Sequence, residues 1–297
     1  MDKVVVIVEI QKYIAAHFQE EDFSVKKICE RVNYSRRQID RMFKTELGVT
    51  LQEYIAAVRL TQSSNELLKT ETSILEIALT NHYQSHEGFT RSFKKRFGLT
   101  PSEYRDQRIP LPLFTMHPLS HYYAILEHKE ASRIHNRHSR CTITVQHKPR
   151  RKLLFLPAHH ADDYLSYCEE MGCDWEGLQN SIQEKFEPAA LLTLPEFLSE
   201  GFAKTASGIE VPFDYDKILP QGYEVVELPE SIMLSFQSAP YENEESFSEI
   251  IDEVYEAIEK YIPADYGYKL SYESGPVFNY GAQPELGARI AVPAISI

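Results

Sequence analysis

The sequence predicts a multi-domain protein. An all-α domain built on a tandem helix-turn-helix is followed by an α+β domain of duplicated β-α-β-β units with an antiparallel sheet. Three observations carry this. One stretch of the chain is echoed fifty residues downstream, charge divides sharply along the chain, and apolar spacing changes from helical to strand-like near residue 141. The boundaries that follow are a helical domain over 1–108, a basic linker over 109–141 and an α+β domain over 142–297.

The echo pairs Ser35-Arg36-Arg37-Gln38-Ile39-Asp40-Arg41-Met42-Phe43-Lys44 with Ser85-His86-Glu87-Gly88-Phe89-Thr90-Arg91-Ser92-Phe93-Lys94. Each is followed by a similar tail, Gly48-Val49-Thr50-Leu51-Gln52-Glu53-Tyr54 and Gly98-Leu99-Thr100-Pro101-Ser102-Glu103-Tyr104. A repeated short helix with an outward Arg and a trailing Lys is the pattern of two elements spaced along one face of double-stranded DNA.

A net charge of −13 looks wrong for such a partner until it is divided. Residues 1–108 carry 17 basic and 15 acidic residues, 109–152 carry 8 and 2, and 153–297 carry 6 and 27. The three segments are therefore +2, +6 and −21. Only the front can gain from phosphate contacts, while the back repels DNA and attracts cations.

Along the front, Ile7, Ile10, Ile14 and Phe18 space a first helix. Ser24 caps the next, with Val25, Ile28, Cys29 and Val32 inward, and Asn33 stands at the turn, where it tolerates the left-handed region. Ser35 with Gln38 forms a capping box for a helix that buries Ile39, Met42 and Phe43. Thr50 with Glu53 opens a long helix through Leu68, and Ser73 with Glu76 opens another with Ile74, Ile77 and Ala78 inward. His82 takes the turn position of Asn33, Ser85 starts the second copy, and Thr100-Pro101-Ser102-Glu103 closes the unit.

The segment Ile74-Leu75-Glu76-Ile77-Ala78, then Phe89 through Arg105, resembles the signature of AraC/XylS-type transcription factors, and Tyr34 through Tyr54 matches its companion motif. Asn33 and His82 depart from the glycine usual at the two turns. The resemblance covers roughly residues 5–107 and implies recognition helices in adjacent major-groove segments, ~34 Å apart. It carries base-edge roles to Arg37, Gln38 and Arg41 on the first helix, and to His86, Glu87 and Arg91 on the second. Thr90 belongs to the same DNA-facing set, and Arg36, Lys44 and Lys94, with Lys95 and Arg96, suit phosphates. Asp40 and Glu87 either accept from cytosine or orient neighbouring arginines.

Five histidines (His117, His121, His128, His135, His138) lie in the linker, and His135 and His138 stand three apart, but few acids accompany them, which favours a basic segment on DNA phosphates or on the second domain over a metal site. In the back half, strands are expected at Cys141–His147, Lys152–Pro157, Leu191–Phe197, Ile209–Tyr215, Tyr223–Pro229, Ser231–Ala239, Lys269–Tyr272, Val277–Tyr280 and Arg289–Val292. Helices are expected over Ala161–Phe186, interrupted at Gly172, and over Glu244–Tyr261. Element order, and the stretch from Tyr223 to Tyr241 with its following helix and Ile262-Pro263, resemble the GyrI-like effector-binding domain and make the whole chain Rob-like.

That resemblance implies an aromatic-lined groove between two repeats, with a buried acid facing a cationic or amphipathic drug-like effector, as in multidrug sensing. The aromatic candidates are Trp175, Phe213, Tyr215, Tyr223, Tyr268, Tyr272 and Tyr280; Glu224 and Glu273 are the acids, because Asn279 and Arg289 stand where the family often has Glu. No GxSxG, Walker loop or HExxH is present, so no enzymatic activity, cofactor or metal is expected. His159-His160 before Asp162-Asp163 marks a strand-to-helix turn. A GyrI-like hydrolase remnant and a protein-docking module are the alternatives, the latter with RNA polymerase as a further partner. The acid-flanked N-terminus, the lack of an 18-residue apolar run and four unpatterned cysteines point to a cytoplasmic protein with no membrane partner.

Overall fold

Side-chain caps set the helix starts of the front half. The computed structural model describes residues 3–116, 119, 141–172 and 174–297, in two compact units, Met1–Tyr123 and Ala124–Ile297. The first unit runs α1 (Lys3–His17), α2 (Val25–Val32), α3 (Arg36–Leu47), α4 (Leu51–Lys69), α5 (Ile74–Thr80), α6 (His86–Phe97) and α7 (Pro101–Gln107). Ser24, Ser35, Thr50, Ser73, Ser85 and Thr100 each accept a backbone N–H three residues on, and full capping boxes open α3, α4 and α7. Each such cap is worth about 1 kcal/mol.

Helix α4 joins two cores. Its Leu51, Tyr54, Ile55 and Val58 pack with Ile10, Ile14, Ile28, Ile39 and Phe43, and its Leu60 and Leu67 pack with Ile77, Phe89, Phe93 and Tyr104. The expected linker begins differently from its expectation. Leu111 and Leu113 join the second core and Phe114 and Leu119 the first, while the Phe114 N–H donates to Thr61 Oγ1 at 2.8 Å and the Leu119 N–H to Gln11 Oε1 at 2.9 Å. Apolar burial holds this part of 109–141 on the helical unit. The five linker histidines lie outside the described residues.

The second unit comprises β1 (Cys141–Lys148), β2 (Arg151–Pro157), α8 (Tyr164–Met171), α9 (Trp175–Ser181), β3 (Ala190–Thr193), β4 (Thr205–Pro212), β5 (Glu224–Leu228), β6 (Ser231–Ser238), α10 (Phe247–Lys260), β7 (Tyr268–Leu270), β8 (Val277–Gln283) and β9 (Gly287–Ser296). The expected helix over Ala161–Phe186 is two shorter ones, because Gly172 at φ 77° ends the first. The antiparallel sheet runs β1-β6-β9-β8-β3-β4-β2-β5, with β7 on β9. Strands β1 and β2 stand first and seventh in that order, yet only Pro149 and Arg150 separate them. Three peptide links span at most ~11 Å, whereas six flat strand spacings span ~29 Å, so the sheet curls. Its two-residue link between β5 and β6 imposes the same closure.

Strand alternation sorts the two faces. Leu154, Ile209 and Val211 pack with α8 and α9, and Leu234, Phe236, Ile290 and Val292 pack with α10. Leu153, Phe155, Leu192, Met233, Phe278 and Ala291 share the opposite, concave face and bury one another. No described helix is long and apolar enough to cross a membrane.

Candidate DNA interface and the second-unit sites

Two helix pairs in the first unit have the same construction. Between α2 and α3, Asn33 is left-handed at φ 54°, its N–H donates to Cys29 O, and Ser35 caps α3. Between α5 and α6, His82 is left-handed at φ 61°, the Tyr83 N–H donates to Ala78 O at 2.9 Å, and Ser85 caps α6. Both second helices end on a left-handed glycine, Gly48 at φ 71° and Gly98 at φ 83°. Residues other than glycine thus hold both turns as expected.

Each second helix buries its apolar stripe, Ile39, Met42 and Phe43 on α3 and Phe89 and Phe93 on α6. The opposite sides expose Arg36, Arg37, Gln38, Arg41 and Lys44, and His86, Glu87, Arg91 and Lys94, with Lys95 and Arg96 beyond. Arg37, Arg41 and Arg91 form no ion pair with any described residue. Other members of the set are engaged. Arg36 donates to Gln52 Oε1 at 2.5 Å and lies 3.6 Å from Asp40, and Lys44 Nζ donates to the Gly48 carbonyl at 2.7 Å. Asp40 Oδ1 accepts the Leu51 N–H at 3.2 Å, and its Oδ2 faces Arg36.

Gln38 Oε1 accepts from the Ser35 N–H at 3.0 Å and the Ser35 hydroxyl at 2.7 Å, so only its NH₂ is open to a base. Helix N-terminal N–H groups, chiefly its own, and the Ser85 hydroxyl hold the Glu87 carboxyl below the usual range, with His86 and Arg91 adding to the effect. Thr90 differs from the rest of the set: its hydroxyl is buried and has no hydrogen-bond partner among the described residues.

In the second unit the aromatic candidates do not converge. Trp175 and Tyr215 are buried beneath α8 and α9, Trp175 edge-on to Tyr167 at 5.9 Å. Burial pushes the Tyr215 and Tyr223 hydroxyls up to about 12, and Gln179 approaches Tyr223. Phe213 lies under the Arg150 guanidinium at 3.8 Å, Tyr268 packs near α10, and Tyr272 is exposed. Tyr280 alone of the set stands on the concave face. A single cage from these seven is therefore excluded by their opposite faces.

The acids also differ from expectation. Glu224 is exposed on edge strand β5, and exposed Glu273 accepts from Ser271 at 3.0 Å. The buried carboxylate is Glu210, 1% exposed, in ion pairs with Arg151 and, at 3.2 Å, with Lys148. Glu187 pairs with Arg289 at 2.8 Å. A lone charge among apolar neighbours, as in Ile209-Glu210-Val211, was the signal available in the sequence. Before α8, Asp163 caps the helix, and Glu170 accepts the N–H groups of His159, His160 and Ala161, as suits a strand-to-helix turn. Among the described residues no His, Cys, Asp and Glu group could hold a metal ion.

Capped helix pairs with left-handed turns and a cationic outer face define a helix-turn-helix DNA-binding protein. The helix-turn-helix domain family matches residues 28–107. Over 103 residues the chain is 34% identical to the multiple antibiotic resistance protein MarA of Escherichia coli, covering 35% of this chain and 81% of MarA. It is 35% identical over 105 residues to the right origin-binding protein of Escherichia coli, covering 35% of this chain and 36% of that protein. A structure of a transcriptional regulator with an AraC-type DNA-binding domain from Chromobacterium violaceum is 31% identical, covers 35% of this chain and 91% of that one, and superposes with a TM-score of 0.33. The chain belongs to the AraC family of helix-turn-helix transcriptional regulators.

Proposed function

We propose that this regulator reads its operator with both helix pairs as a tandem helix-turn-helix within residues 1–108, and that residues 142–297 form a GyrI-like domain that binds a small-molecule effector. The observation that carries the DNA reading is the matched construction of the two pairs, from cap to left-handed turn to glycine stop. Arg37, Gln38 and Arg41, and His86, Glu87 and Arg91, are the base-facing groups; Arg36, Lys44 and Lys94 border them as phosphate contacts. The duplicated reading of the second unit draws support from its strand order, which reads alike from either end when β1, β2, β3 and β4 are exchanged for β5, β6, β8 and β9. RNA polymerase is a further partner at the promoter.

Binding-site selection with the full chain tests the DNA reading. Recovery of one motif spanning two major-groove segments is expected. Selection of a single short segment, unaltered by changes on α6, would remove the second pair from the interface.

A further inference from the structure

We propose that the effector of the second unit is an organic anion, bound where Tyr280, Arg289 and Lys148 meet on the concave face of the sheet; this rests on the effector-binding reading above. Five charged side chains converge there. Arg151 and Glu210, 2% and 1% exposed, form the floor. Lys148 lies 3.2 Å from Glu210 and 4.0 Å from Glu187, and Arg289 donates to Glu187 Oε2 at 2.8 Å. Exposure rises from that floor through Lys148 at 10% to Arg289 and Glu187 at 22% and 25%, so these outer members are within reach of solvent.

Three cations face two carboxylates, leaving one positive charge in a poorly solvated place. The acidic exterior cancels little of it, since exposed charges are largely screened beyond ~10 Å while buried ones are screened much less. Tyr280 is the second observation. Its ring is held between Phe278, stacked at 6.0 Å, and the Arg289 guanidinium at 3.9 Å. Its hydroxyl feels both carboxylates and both arginines, yet it has no hydrogen-bond partner among the described residues. An unused donor beside surplus positive charge fits a carboxylate. The apolar part of such a ligand would lie by the Phe278–Tyr280 stack. A cation would meet two acids already neutralised and a third unbalanced positive charge.

Calorimetry on the full chain with matched probes tests this: 2-naphthoate and 4-phenylbutyrate against 2-naphthylmethylammonium and 4-phenylbutylammonium. The carboxylates are expected to bind and the ammonium ions not. Arg289→Gln should weaken carboxylate binding about tenfold, Glu187→Gln should strengthen it several-fold, and Arg289→Lys should recover part of the loss. These opposite responses from the two halves of one ion pair distinguish a ligand site from a structural bridge, where both variants would lower Tm and leave binding alone. Tyr280→Phe, which keeps the ring, should weaken the carboxylates without lowering Tm. Binding of the ammonium probes alone would overturn the anion and keep the effector reading. Silence from all four would overturn both.

Discussion

The Asp40 carboxylate accepts the backbone N–H of Leu51 at 3.2 Å and thereby fastens α3 to α4. Removing it leaves a donor at a buried residue unsatisfied. Asp40→Ala should cost about 1 kcal/mol, read as a drop of a few degrees in Tm, while base preference is kept. A changed base preference at unchanged Tm would mean that Asp40 reads DNA after all.

Arg41 and Arg91 project from the outer sides of α3 and α6 without an ion pair to any described residue. Each replaced by Ala should relax preference at its own base position by about 1–3 kcal/mol, seen in a binding-site selection. Equal weakening on every sequence would reassign them to phosphates.

Gln38 separates stability from recognition. Glu in its place can keep the box with Ser35, as Glu53 and Glu103 do with Thr50 and Thr100, but removes the NH₂ donor. Gln38→Glu should therefore hold Tm within a degree or two and weaken operator binding, whereas Gln38→Ala should lower Tm as well. Mobility-shift titrations beside thermal melts decide it.

His82 occupies the left-handed region with Nε2 buried and unpartnered. His82→Gly should stabilise the helical unit by roughly 0.5–1 kcal/mol, because relief of strain and of the orphaned nitrogen exceeds the added chain entropy. Asn33→Gly should be nearly neutral. Urea unfolding of both variants measures the contrast.

Glu170 accepts N–H groups from His159, His160 and Ala161 at 2.6, 3.0 and 2.9 Å, with the His159 bond the main cause of its lowered pKa. A folded pKa below the unfolded one gives stability that is present above about pH 4.5 and lost as pH falls through the folded value. Glu170→Gln should lower stability at pH 7 and flatten the acid limb. A parallel downward shift at all pH values would show that the charge is irrelevant.

The helical half was legible because its determinants are local. Ser35, Thr50, Ser73 and Thr100 each act on a backbone group three residues away, and the turns at Asn33 and His82 depend on one residue's tolerance of positive φ. Such contacts are fixed by spacing, so reading the spacing recovers them. The same spacing could not show that the Thr90 hydroxyl is buried or that Gln38 gives its oxygen to Ser35, since both depend on rotamers chosen by packing.

In the second half the strands were readable by alternation, but the site was not. Tyrosine-rich composition suggested one cage, and the sheet sends Trp175 and Tyr280 to opposite faces. The sequence by itself determined two capped helix pairs, the cationic outer sides of α3 and α6 and a separate acidic α+β unit. Only the tertiary structure decided where Leu111 to Leu119 pack and which acids are buried. It brought Arg151 to Glu210 across 59 residues by pairing β2 with β4, Arg289 to Glu187 across 102 residues, and Lys148 of β1 to Glu210 of β4, five places along the strand order, by curling the sheet. Pairings at that range follow from strand order and closure, which no local spacing encodes.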